Sequence, residues 1–185
     1  ILRRLCEQLK TARNNNYIFI AFSGEEQGLL GSNYFVNHPV IDVKTVQYML
    51  NFDMVGRLDS SKKTLMVYGV GTCPKWKTSI ANLKTDSTQI KIKTTESGTG
   101  SSDHTSFYYA NIPVLHFFTG QHQDYHMPSD DESLINYNGM HQVYNVSLQI
   151  IKSLNKIKDM PFTATKSEES ARMAFKVSLG IMPDY

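Results

Sequence analysis

The sequence predicts an α/β fold, a three-layer sandwich built on a mostly parallel central sheet, and three observations carry that reading. Several short apolar runs rich in β-branched and aromatic residues, such as YIFIAF and VLHFF, are uninterrupted in the way of strands buried on both faces. Segments with helical periodicity stand between them, the alternation expected of strands joined by crossover helices. The chain has 185 residues, 41% hydrophobic and 19% charged, enough for one domain with a sizeable core.

Taken in order, residues 1–13 read as the end of an amphipathic helix, stopped by Asn14-Asn15-Asn16. Tyr17–Phe22 is the first buried strand. Leu29–Asn37 is a helix ended by Pro39. Val46–Phe52 and Thr64–Tyr68 are the second and third strands. Pro74 opens a helix with Trp76, Ile80 and Leu83 on one face. Ile90–Thr94 alternates apolar and polar, so it is a more exposed strand. Ser97–Ser102, SGTGSS, reads as a flexible loop. Asp103–Ala110 is a short helix and Val114–Phe118 another core strand. Asn138–Lys158 is a long helix with Met140, Val143, Tyr144, Ile150, Ile151, Leu154 and Ile157 near helical spacing. Beyond Pro161 the pattern changes, and Phe175–Ile181 reads as a strand with nothing after it.

A net charge of +2 gives no electrostatic case for nucleic acid or an anionic membrane. No apolar run approaches the roughly 20 residues that span a bilayer. Cys6 and Cys73 have no metal-type spacing, and both a reduced pair and a disulfide are compatible with them. The chain starts at Ile1 directly in a helical pattern, so it reads as a piece of a longer protein.

In open α/β sheets, ligands bind beyond the carboxyl ends of the strands. YIFIAF runs into Ser23-Gly24-Glu25-Glu26, VQYMLNF into Asp53, and VLHFF into a loop with His122, Asp124, His126, Asp130 and Asp131. Ser23 with Glu26 also fits a helix-capping box, Asp53 can simply start a turn, and Asp103-His104 can be a cap followed by a satisfied imidazole. Carboxylates and imidazole are, however, the ligand set of catalytic zinc, and such a site needs a separate base. Adjacent glutamates can divide that labour because neighbouring side chains diverge. His38 and His141 read as structural, and the Asn145-Val146-Ser147 sequon falls inside a helix.

The motifs FSGEEQGLLGSNYF, NFDMVG, SSDHTSFYYANIPVLHFFTG and DYHMPSD, spread over residues 18–130, resemble those of the M28 zinc peptidases, the bacterial leucyl-type aminopeptidases and their relatives. The resemblance implies a zinc-exopeptidase-like fold over residues 1–160 and two zinc ions in a complete protein. It implies Glu25 as general base, Glu26 and His126 as ligands of one metal, and Asp53 as a ligand of the other. Tyr125 is implied to orient substrate or oxyanion. The family also carries an H-x-D motif upstream of the glutamates, and no His or Asp precedes Glu25 here. The expectation is therefore an N-terminally truncated catalytic domain that holds one zinc ion or none and is inactive by itself.

The segment MAFKVSLGIMPDY resembles the start of a PDZ-like domain, so residues 161–185 are expected to be a linker and the first strand of that domain. The resemblance further implies a peptide substrate and an extracytoplasmic setting, and leaves oligomeric state open. A single-zinc, glutaminyl-cyclase-like enzyme and a non-catalytic peptidase-like binding domain are the alternatives.

Overall fold

Strand runs that are apolar on both faces need a layer of helices on each side, and that is how the chain is arranged. The computed structural model describes residues 1–11, 14–84 and 90–166. Its helices are α1 (Leu2–Leu9), α2 (Leu30–Asn37), α3 (Pro74–Ala81), α4 (His104–Tyr109) and α5 (Tyr137–Leu154). The strands β1 (Met49–Asp53), β2 (Thr64–Tyr68), β3 (Lys91–Thr95) and β4 (Val114–Phe118) form one sheet in the order β1-β4-β2-β3. The β1–β4 and β2–β3 pairs are parallel, and β2 meets β4 antiparallel.

The pleat divides each strand between two cores. Leu65, Val67, Leu115 and Phe117 pack under α3 and α5 with Trp76, Val143, Val146 and Ile150. On the opposite face Val114 and Met49 meet Phe107 and Tyr108 of α4 and Phe35 of α2. Phe52 and Phe117 stack across the parallel pair with ring centroids 5.0 Å apart. The chain past α5 stays against the domain as far as it is described: Met160 is buried, and Thr163 N–H donates to the Thr72 carbonyl at 2.8 Å. The expected PDZ-like strand lies outside the described residues.

Four expectations are corrected. Tyr17–Phe22 is not a strand: it has no regular structure and is only partly buried. β-Propensity without a ladder partner does not make a strand. The second strand begins at Met49 rather than Val46, because a single 3₁₀ turn at Val43–Thr45 delays entry into the sheet. The loop at residues 97–102 is built rather than loose. Ser97 and Ser102 are buried, the Thr105 hydroxyl donates to the Gly100 carbonyl at 2.6 Å, and the Gly98 amide donates to Thr165 at 2.9 Å. The long helix ends at Leu154 instead of Lys158. As for the two cysteines, they form no disulfide; Cys6 is exposed and Cys73 buried.

Candidate metal and catalytic site

The carboxyl ends of the Tyr17–Phe22 run, β1 and β4 lead into three segments that meet. Ser23–Leu29 is a series of turns, with Gln27 N–H on the Gly24 carbonyl and Leu29 N–H on the Glu25 carbonyl. Ser23 and Glu26 do not cap a helix, since α2 starts at Leu30 with no side-chain cap. Gly31 lets the first turn of α2 lie on this segment: a Cβ there would stand 2.6 Å from the Ser23 carbonyl oxygen.

Glu26 reaches instead across 100 positions to His126, with Oε1 and Nε2 2.7 Å apart. Both side chains are more than half exposed, 64% and 56%. A contact that exposed contributes roughly 0–1 kcal/mol, too little to be there for stability. It is also held by unusual backbone. Among the described residues, Leu29, Met54 and His126 are three of the five non-glycine residues with positive φ. They end the glutamate turn, follow Asp53 and carry the imidazole, respectively. Left-handed backbone of this kind costs about 1–3 kcal/mol and gathers at functional sites.

The Glu25 carboxyl is raised above its ordinary value. Partial burial raises its pKa first, and the charges of Asp53, Glu26 and Asp103 push it further up, while His126 opposes them. Tyr125 stacks on the His126 ring at 3.9 Å. Its phenol is raised by partial burial and then by Glu26, Asp53 and Glu25. Of the five residues singled out in the sequence, Glu26, His126 and Tyr125 are in direct contact, and Glu25 and Asp53 lie near enough for their charges to act on one another. The loop bearing His126 is tied down by Arg57, which donates to Asp124 at 2.7 Å and to Asp130 at 2.8 Å. Arg57 holds the Asp124 carboxyl below its ordinary value.

Three polar residues behind the cluster escape a reading of the strands as apolar runs. Asn51 of β1 and Tyr68 of β2 both register with His116 of β4, so a polar row crosses the sheet on the α4 side. Asn51 donates to Ser102 at 2.7 Å. His116 Nε2 lies 3.9 Å from Asp53, and its ring stacks on His104 at 4.4 Å. The reading of Asp103-His104 as a cap with a satisfied imidazole does not hold. Asp103 makes no cap bond, and neither ring nitrogen of His104 has a partner. Burial, then the neighbouring His116, pushes His104 down to about 3. Burial likewise lowers His116, against the pull of Asp53. The signal for this row is a polar side chain inside each of three neighbouring strands, Asn51, Tyr68 and His116, which only the register lines up.

The donor chemistry fits zinc, with a carboxylate and an imidazole converging and a second carboxylate nearby. Among the described residues no three such side chains group tightly enough to enclose an ion.

A sequence model of peptidase family M28 matches residues 1–151. The chain is 26% identical over 174 residues to aminopeptidase YwaD of Bacillus subtilis, covering 90% of this chain and 38% of that protein. It is 35% identical over 102 residues to leupeptin-inactivating enzyme 1 of Streptomyces exfoliatus, covering 54% and 22%. Among solved structures, BSAP, a zinc aminopeptidase from Bacillus subtilis, superposes with a TM-score of 0.70 at 26% identity, covering 87% of this chain and 42% of that one. The LapA aminopeptidase of Legionella pneumophila gives 0.62 at 25% identity, covering 74% and 38%. The chain therefore spans about two fifths of the length of most of these relatives.

Proposed function

The chain belongs to peptidase family M28, and on that premise we propose that the protein containing it is a zinc-dependent aminopeptidase acting on peptides. The observation that carries this reading is the 2.7 Å approach of Glu26 to His126 beside a Glu25 carboxyl whose pKa is raised. Glu26 and His126 would hold one ion and Asp53 a second. When bound, zinc supplies Lewis acidity to the scissile carbonyl and makes water a stronger acid.

The chain's own residues supply the rest. Glu25 takes the proton of the attacking water and delivers it to the leaving amine. A carboxyl raised above its ordinary value is better matched to both halves of that transfer near neutral pH. Tyr125, stacked on His126, directs its hydroxyl toward substrate or the developing oxyanion. Arg57, through Asp124 and Asp130, fixes the loop that presents both. An extracytoplasmic setting belongs to the same proposal and rests on the family alone.

Two protein ligands are one fewer than catalytic zinc sites ordinarily use. This 185-residue chain is accordingly expected to retain one zinc ion or none after equilibration and removal of excess, and to leave aminoacyl p-nitroanilides intact. Two ions per chain by elemental analysis, or hydrolysis that Glu25→Gln abolishes, overturns the half-built site. In the longer protein Glu25→Gln should lower kcat by about 10²–10⁴ with little change in KM. An unchanged kcat removes Glu25 from the role of base.

A further inference from the structure

The chain after α5 crosses the sheet. Met160 is buried in the core under α3 and α5, and Phe162 packs into the opposite core, its ring edge-on to Tyr108 at 5.3 Å. The crossing lies at the end of the sheet away from the charged cluster, beside Thr72, which follows β2, and Val114, which opens β4. There Thr163 N–H donates to the Thr72 carbonyl at 2.8 Å. The Tyr108 hydroxyl accepts from Thr165 N–H at 2.8 Å and donates to the Thr165 carbonyl at 3.1 Å. Pro161, Thr163, Ala164 and Lys166 stay exposed. The segment is therefore held by one side chain in each core and a few hydrogen bonds, the mark of a part that opens before the rest of a domain.

What it holds is the connection from β3 to α4. Gly98 N–H donates to the Thr165 hydroxyl at 2.9 Å. The connection is threaded without slack: a Cβ on Gly98 would stand 2.3 Å from the Tyr108 ring and 2.4 Å from the Thr72 methyl group, and these are the two residues that bind the segment after α5. A Cβ on Gly71 would stand 2.7 Å from the Glu96 carbonyl oxygen and 2.9 Å from the Thr165 methyl group. From Gly98 the connection climbs toward the site. Gly100 N–H donates to the Thr105 hydroxyl at 2.9 Å, and Ser102 accepts from Asn51 at 2.7 Å. The charge of Asp103 acts on Glu25. His104 stacks on His116, whose Nε2 lies 3.9 Å from Asp53. Packed side chains and hydrogen bonds thus join the two ends of the sheet without a break, as energetic coupling between them requires.

We propose that residues 160–165 are a strap that couples the chain beyond them to the candidate site. Seated, the strap clamps residues 97–104 and so fixes Asp103 and His104 behind Glu25 and Asp53. Released, it frees that segment while the sheet and α5 stay folded. The chain continues from Lys166 to Tyr185, so a load taken by that part reaches the strap before it reaches the sheet. The consequence for hydrolysis rests on the peptidase reading. The coupling itself is a property of this chain and is tested without metal or substrate, so the two can fail separately.

The test is amide hydrogen exchange on the full 185-residue chain and on variants of it. Tyr108→Phe keeps the ring and removes the hydroxyl that binds Thr165. Thr165→Val keeps the shape and removes the acceptor of Gly98 N–H; it changes a surface segment, so it reports even where Tyr108→Phe does not fold. Each should speed exchange at residues 163 and 165 and also at Gly100 and Thr105, which the strap does not touch, by at least about tenfold. Residues 114–118 and 143–151 should exchange as before. Coupling is reciprocal, so Ser102→Ala, a cut at the site end, should speed exchange at Gly98 and Thr165 in turn. Faster strap amides with Gly100 and Thr105 unmoved overturn the proposal, because the strap then leaves without consequence. Faster exchange in β4 and α5 as well overturns it, because the effect is then a general loss of stability. Strap amides that exchange as before in both strap variants overturn it, and so does Ser102→Ala without effect on Gly98 and Thr165.

Discussion

The two edges of the sheet are finished in opposite ways. β3 ends one side with Lys91, Lys93 and Thr94 exposed and only Ile92 and Thr95 half-covered. Charged residues, lysine above all, are a device that keeps an edge strand from recruiting another. β1 ends the other side with Met49, Leu50, Asn51 and Phe52, all at least half-covered and uncharged, and its one carboxylate, Asp53, stands at the end of the strand. One edge is written as an edge and the other as an interior strand. The difference teaches that a strand's side chains record the neighbours it is built for, even where the ladder stops.

The sharpest test of that contrast uses the Phe52–Phe117 stack. Phe117 is fully buried, so Phe117→Ala should cost about 3–5 kcal/mol of unfolding free energy. Phe52 is the same residue in the same stack, but it lines an open groove beside residues 17–22, so Phe52→Ala should cost about half as much. Urea unfolding of both variants decides it. Equal losses would mean that the β1 edge is as fully packed as the interior, and the contrast would be broken.

How far the sequence could be read follows the same line. Thr64–Tyr68 is a strand at the limits expected, because its alternating burial and the Asp59–Lys63 turn before it are both local signals. Tyr17–Phe22 has the stronger β composition and is not a strand, because pairing is a property of two segments and composition reports on only one of them. At the site, Glu25, Glu26, Asp53 and His126 were legible as ionisable residues after apolar runs. His116 was not, since one imidazole in VLHFF reads as core and only the register with Asn51 and Tyr68 reveals a polar row. SGTGSS misled by composition: its serines and glycines bond their own loop and Thr165 rather than solvent.

A second, smaller effect asks whether the sheet between the edges excludes water. His104 is 1% exposed and its folded pKa is pushed down from 6.5 to about 3. A depressed folded pKa adds stability that is complete above the unfolded value and is lost as pH falls toward the folded one. Unfolding free energy should therefore drop by about 2 kcal/mol between roughly pH 6.5 and pH 5 on account of this residue, and His104→Phe should remove that part of the slope. An unchanged slope in the variant would mean that water reaches the imidazole, and that looseness at β1 extends into the sheet.

The smallest expected change in stability comes from the charged edge. Lys93 is exposed and registers with Met66, so Lys93→Val removes no core contact and should shift unfolding free energy by less than about 0.5 kcal/mol. Its effect should appear in association instead. Without that charge β3 presents Ile92, the introduced valine and two threonines along an open ladder, a β-prone run, and sedimentation velocity should show concentration-dependent dimers absent from the parent chain. β1 is the informative control, because its outer edge faces a groove walled by residues 17–22 and is shielded by shape rather than by charge. If Lys93→Val stays monomeric, charge is not what guards β3, and the two edges must be distinguished by what covers them rather than by the residues they carry.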